Sequence, residues 1–134
     1  MGDHASIRRG WLKAMYAYTL FGAGGFGFAM LFFPGTVQSI LRFPAQDPAV
    51  FKLYASVLLA CGLMAIPALR SPLKFVPLLL IQLVYKPIWL AVAAIPLFLE
   101  GQFPLHVVIM SAVFLTYIIG DLIAIPFSYV FSKK

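Results

Sequence analysis

Four apolar stretches, each longer than 20 residues and sparing in charge, leave this chain few ways to fold. A helix rises 1.5 Å per residue, so about 20 apolar residues cross a hydrocarbon core about 30 Å thick. The stretches run from Trp11 to Phe33, Pro48 to Leu69, Leu73 to Leu99 and Pro104 to Val130. The last two exceed the crossing length, which predicts tilt or a kink. Of the 134 residues, 63% are hydrophobic and 10% charged, where soluble domains carry about 25% charged residues. A soluble fold of this size buries only about two thirds of its surface and would leave much of that apolar content facing water. The expected fold is all-α: a single domain over residues 1–134, an integral membrane bundle of four transmembrane helices in a lipid bilayer.

The connections carry helix punctuation. Asp47-Pro48 reads as an N-cap followed by proline at the first helical position, and Ser71-Pro72 repeats the pattern ahead of the third helix. Residues Gly101 to Pro104 read as a tight turn. In the first connection, Thr36 to Phe43 places Val37, Ile40 and Leu41 at i, i+3 and i+4, with Gln38, Ser39 and Arg42 opposite. That spacing predicts a short amphipathic helix lying in the interface.

Cations set the orientation. Arg8, Arg9, Lys13, Arg70, Lys74, Lys133 and Lys134 belong to the two ends and the second connection, against Arg42 and Lys52 for the first and third. The excess of Lys and Arg on the inner side places both termini in the cytoplasm. Trp11, Tyr16 and Tyr129 then fall near the inner interface, and Tyr54 and Phe103 near the outer one. The apolar run after Arg8 and Arg9 is too long for a cleaved signal, so it is expected to be retained as the first span. The Gly2 to Ser6 segment and the Lys133-Lys134 end match no lipidation motif.

Several classes of function fall away. The net charge of +6 comes from cations that punctuate apolar runs instead of clustering on one solvated face, so no nucleic-acid partner is expected. Cys61 is the one cysteine and reads as a small packing residue. The histidines, His4 in the tail and His106 at the start of the fourth helix, cannot face each other across a bundle, so neither a metal nor a haem site is expected. Glu100 and Asp121 stand about 30 Å apart along a turn and a helix, and no catalytic constellation emerges. No cofactor is assigned.

Two charges remain inside the apolar stretches. Lys86 lies about 20 Å into the third helix, and Asp121 about 14 Å from the end of the fourth. The helices are antiparallel neighbours, so the two side chains sit within about one turn of the same depth. A lone charge at the bilayer centre costs about 2.5 to 3.5 kcal/mol, which makes the pair a candidate site with each residue as the other's partner. A structural latch is an equally open reading. Gln82 lies one turn before Lys86 and Tyr117 one turn before Asp121, each on the same helix face as its charge, with Tyr85, Trp89 and Thr116 adjacent. Pro87 and Pro126 free the carbonyls of Leu83 and Leu122, marking two possible kinks.

The first helix holds Gly22, Gly24, Gly25 and Gly27 among phenylalanines. Ala23 with Gly27, and Gly25 with Ala29, form small-xxx-small pairs that suit close helix packing, with a slot for a flat ligand as the other reading.

At Gln82-Leu-Val-Tyr85-Lys86-Pro-Ile-Trp89-Leu and Gly120-Asp121-Leu-Ile-Ala-Ile-Pro126 the sequence resembles a group of small, uncharacterised bacterial four-helix membrane proteins, distantly similar in layout to the DoxX-like proteins. The resemblance covers mainly the second half of the chain. It implies a four-helix bundle in a bacterial inner membrane and suggests that Lys86 and Asp121 belong together, while Pro87 departs from the small polar residue expected there.

The function expected from these readings is non-enzymatic: an accessory or scaffold subunit of a larger membrane complex, or of an assembly with itself, or a binder of a small apolar ligand. The alternative is a minimal dimeric proton-coupled transporter using the Lys86 and Asp121 pair. The acid-free stretch from Met15 to Phe33 argues against that alternative, because small multidrug exporters carry a carboxylate in their first helix.

Overall fold

The computed structural model describes residues 8–132. His4, the Gly2 to Ser6 segment, and Lys133 and Lys134 lie outside the described residues. Within them every regular element is a helix, and four are long and apolar enough to cross a membrane. We label them α1 (Arg9–Phe32), α3 (Pro48–Arg70), α4 (Val76–Leu99) and α5 (Leu105–Ala124), with the short α2 (Pro34–Leu41) and α6 (Phe127–Val130).

Local chemistry explains most of the boundaries. Asp47 caps α3: its Oδ1 accepts from the backbone N–H of Ala49 at 2.8 Å and of Val50 at 3.2 Å. Asp47→Ala should therefore lower stability by about 0.5–2 kcal/mol, read as a drop in thermal midpoint in a fixed detergent. Ser71-Pro72 does not start α4. Ser71 instead closes α3, its carbonyl accepting the Lys74 N–H at 3.1 Å, and α4 begins only at Val76 without a side-chain cap. Gly101, at φ +78°, makes the turn after α4 in a backbone region that glycine enters freely. The fourth span stops at Ala124 and does not run on to Val130, because Pro126 drives Ile125 to an extended conformation (φ −72°, ψ 125°). Arg8 Nη1 donates to the exposed Ile123 carbonyl at 3.2 Å, setting a cation at the end of α5.

Two helices widen locally. Thr19–Gly24 in α1 and Leu90–Ala94 in α4 adopt the i to i+5 bonding of a π-helix. The second lies just ahead of Pro96, which has no N–H to give the Val92 carbonyl. Pro87 produces no break: α4 stays α-helical from Val76 to Trp89.

The helices run in the order α3, α1, α5, α4 around the bundle, with α1 packed along α3 and α4 along α5, while α3 and α4 barely touch. Glycines permit the tightest approach. A Cβ at Gly24 would come within 3.1 Å of the Gly62 Cα, and one at Gly27 within 2.6 Å of the Leu59 nitrogen. Gly25 meets nothing within 4 Å, so of the two small-residue pairs only Ala23 with Gly27 faces a helix.

The core falls into two clusters. One, toward the chain ends, gathers Leu12, Met15, Tyr16, Ala65, Leu79 and Ala124, and the other gathers Ala23, Met30, Val37, Phe51 and Leu58. Tyr16 belongs to this interior and not to an aromatic belt: it is fully buried and donates its hydroxyl to the Pro72 carbonyl at 2.6 Å. In α2, Val37 is buried and Leu41 half-buried, but Ile40 turns away from the bundle at 67% exposure. Outward-facing Phe21, Leu53, Val92 and Ile119, one on each long helix, are each more than half exposed. Such a girdle of large apolar side chains is stable against lipid and not against water, and the chain is an integral membrane protein.

Candidate functional site

The structure places three of the singled-out polar residues, Tyr85, Lys86 and Tyr117, in the wall of one cavity of about 390 Å³. All four long helices line it: α1 with Tyr18, Gly22 and Phe26, α3 with Tyr54 and Leu58, α4 with Tyr85 and Lys86, and α5 from Ile109 to Tyr117. Leu41 of α2 closes the end nearer the first connection. Among the described residues Lys86 is the only charged residue in the lining. The volume lies within the 300–1,000 Å³ of small-molecule sites, and the mixture of apolar walls with one polar anchor is also typical of them.

Lys86 is held from two directions. On its own helix its Nζ donates to Gln82 Oε1 at 2.8 Å, and Gln82 Nε2 donates back to the Leu78 carbonyl at 3.2 Å, as the one-turn spacing predicts. Around it stand three rings, with Nζ 3.8 Å from the centre of Tyr117, 5.1 Å from Tyr85 and 5.5 Å from Phe114. The negative faces of these rings attract the ammonium without supplying a counter-charge. Only 2% of the lysine is exposed.

Tyr117 forms part of the cavity floor because α1 fixes it. Its ring stacks on Tyr18 at 3.9 Å between centres, 5° from parallel, and its hydroxyl donates to the Tyr18 carbonyl at 2.9 Å. Tyr18 shares a hydrogen bond of 2.6 Å with Thr116 Oγ1. Gly22 leaves room for this arrangement, since a Cβ there would collide with the Tyr117 hydroxyl. The π-helical turn begins at Thr19, directly after Tyr18, and such turns are frequent at functional sites.

Asp121 lies one turn further along α5, outside the cavity lining. It is fully buried, and neither carboxylate oxygen has a hydrogen-bond partner among the described residues. Depth matching does bring Lys86 and Asp121 into the same interior, but not into hydrogen-bond contact: the ammonium turns to Gln82 and the rings instead. Trp89 also stands outside the lining and packs its ring edge-on to Phe114 at 5.2 Å. Of the glycines, Gly22 faces the cavity, Gly24 and Gly27 face α3, and Gly25 faces open space.

Three residues of the site escape a reading of the sequence. Phe114 has a legible signal, for it falls on the buried face of α5 with Val107, Ser111, Tyr117 and Asp121. Tyr54 points into the cavity and not to the outer aromatic belt, and Tyr18 becomes a floor residue only through the wide turn after it. His106 packs against Phe43 with ring centres 4.5 Å apart and planes tilted by 34°, its Nδ1 buried and unpartnered among the described residues, and Glu100 is exposed at the end of α4. No group of three His, Cys, Asp or Glu side chains assembles among the described residues. No protein-family model, curated protein or solved structure matches this chain, so the chemistry of the site is argued from its own residues.

Proposed function

We propose that this protein is a non-enzymatic, membrane-embedded binder of a small apolar molecule, held in the cavity between the four long helices. One observation carries the reading: a cavity of about 390 Å³, partly open between the helices and walled by aromatic and aliphatic side chains, in a bundle this small. Close packing is the rule in protein interiors, and voids beyond the size of a water molecule are few. Gly22 and the Tyr18–Tyr117 stack keep this one open. In this reading both termini lie in the cytoplasm, as the distribution of Lys and Arg argues, and the membrane is a bacterial inner membrane, as the resemblance at Gln82 to Leu90 and Gly120 to Pro126 implies.

Native mass spectrometry of the protein released from native lipid tests the reading. Wild type should carry a small-molecule adduct, and Met110→Trp, which fills the cavity from α5, should lose it. An adduct retained by Met110→Trp overturns the assignment to this cavity. Stoichiometric larger proteins without a small-molecule adduct would favour the accessory-subunit role. Orientation has its own measurement: cysteine introduced at Gly101 should react with a membrane-impermeant maleimide in intact cells, while cysteine at Ser71 should react only after lysis.

A second reading, proton-coupled transport by a dimer, is favoured by Asp121, a fully buried carboxyl without a hydrogen-bond partner among the described residues and one turn beyond the cavity floor. Buried ionisable residues inside membranes commonly mark proton and ion pathways. Proton uptake by proteoliposomes that Asp121→Asn abolishes would place transport first.

A further inference from the structure

The geometry points to an amphiphile with a single carboxylate head as the molecule this cavity holds, its head on Lys86 Nζ and its tail directed toward Leu41. The inference rests on the binding reading above and adds the chemistry of the ligand.

A neutral apolar molecule gives no reason for a lysine in the wall. Placing a charge at this depth is unfavourable, and the rest of the lining is aromatic and aliphatic apart from tyrosine hydroxyls. An ammonium has three N–H donors, and Gln82 takes one. The three rings attract the cation but accept only weakly, so two donors remain for a ligand oxygen. A carboxylate has two oxygens and one negative charge, matching both the remaining donors and the single cation. Asp121, although its charge is felt at Lys86, takes up neither of these donors, since neither of its oxygens bonds the lysine. A cationic ligand would meet repulsion from Lys86, and a head of higher negative charge would find no second cation in the lining.

The shape sets the direction of the tail. Lys86, Tyr18 and Tyr117 stand at one end of the cavity, and Leu41, Phe26 and Ile109 toward the other. From Tyr117 to Ile109 is eight residues of α5, about 12 Å, which suits a medium-length acyl or short isoprenoid tail.

Photolabelling in nanodiscs of neutral phosphatidylcholine tests this with two probes, a medium-chain fatty acid carrying a terminal diazirine and its methyl ester. The acid should label the Phe26, Leu41 and Ile109 end about tenfold more than the ester, because the ester forfeits a charge-assisted contact. Lys86→Met should reduce acid labelling to the level of the ester, with Lys86→Arg recovering part of it. The comparison of acid with ester on wild type stands even if Lys86→Met fails to fold. Equal labelling of the cavity by both probes overturns the carboxylate inference and leaves the binding reading intact. Labelling that never enters the cavity, and is the same in Met110→Trp as in wild type, overturns the binding reading as well.

Discussion

Replacing Gly62 with alanine should loosen the whole bundle, and replacing it with leucine should leave the protein recoverable only as aggregate. A Cβ at Gly62 would collide with the Gly24 Cα and come within 2.8 Å of the Gly24 nitrogen, so backbone stands where the new atom must go. A flexible side chain could swing aside, but a helix backbone cannot. Overpacking of this kind typically costs 1–3 kcal/mol, roughly, and the leucine adds three further carbons at the seam between α1 and α3. Thermal midpoints and size-exclusion profiles in one detergent are the measurement. Gly25→Ala is the internal control, because nothing lies within 4 Å of its Cβ position and the change should be silent or slightly stabilising. A Gly62→Leu protein as stable as Gly25→Ala would mean that α1 and α3 do not approach as described.

Asp121→Asn should leave the bundle at least as stable as wild type, by up to about 2 kcal/mol. The two explanations of this residue differ in sign here. If Asp121 latched Lys86, removing its charge would strand a buried lysine and cost about 3–5 kcal/mol. In the structure the lysine keeps its bond to Gln82 and its three rings whatever stands at position 121, while the carboxylate has no partner to lose. An unpartnered buried carboxylate is itself unfavourable, and the amide holds the same shape without the charge. Calorimetric or fluorescence-detected melting of the two proteins side by side decides it, and a loss of 3 kcal/mol or more would restore the latch.

How much of this could be read beforehand depends on how local the cause is. The four crossings are legible because lipid leaves a long apolar segment no option but a helix that satisfies its own backbone, and the Asp47 cap and the Gln82–Lys86 bond need only neighbours within one turn. The end of α5 also has a local cause in Ile125-Pro126, yet it is masked in the sequence by an apolar run that continues to Val130 and reads as one span. The cavity was not local. It needs Tyr18, Tyr54, Phe114 and Tyr117 from three helices, brought together by the glycine contact at Gly24 and Gly62 and by a widened turn that no apolar period announces. The same distance explains the Lys86 and Asp121 pair. Depth along two helices can be counted from the chain, whereas the direction in which each side chain leaves its helix depends on how the helices are rotated.

That widened turn also governs what lengths the first helix can tolerate. The buried stripe of α1 recurs at Leu12, Tyr16, Thr19, Ala23, Gly27 and Met30, a steady helical period, yet its first half meets both α3 and α5 and its second half lies almost wholly on α3. An extra residue taken up in one turn rotates everything beyond it by about 100° relative to a regular helix, so one continuous stripe is aimed at two neighbours in succession. Deleting a single residue between Thr19 and Gly24 removes the one that the wide turn absorbs, so the helix winds regularly with Gly24 and Gly27 still on α3 and Met15 and Tyr16 still toward α5, whereas a deletion elsewhere in α1 rotates the stripe beyond it by about 100°. The turn thus acts as a phase adjuster, and it is the one place in this helix where losing a residue keeps both faces aimed at their neighbours.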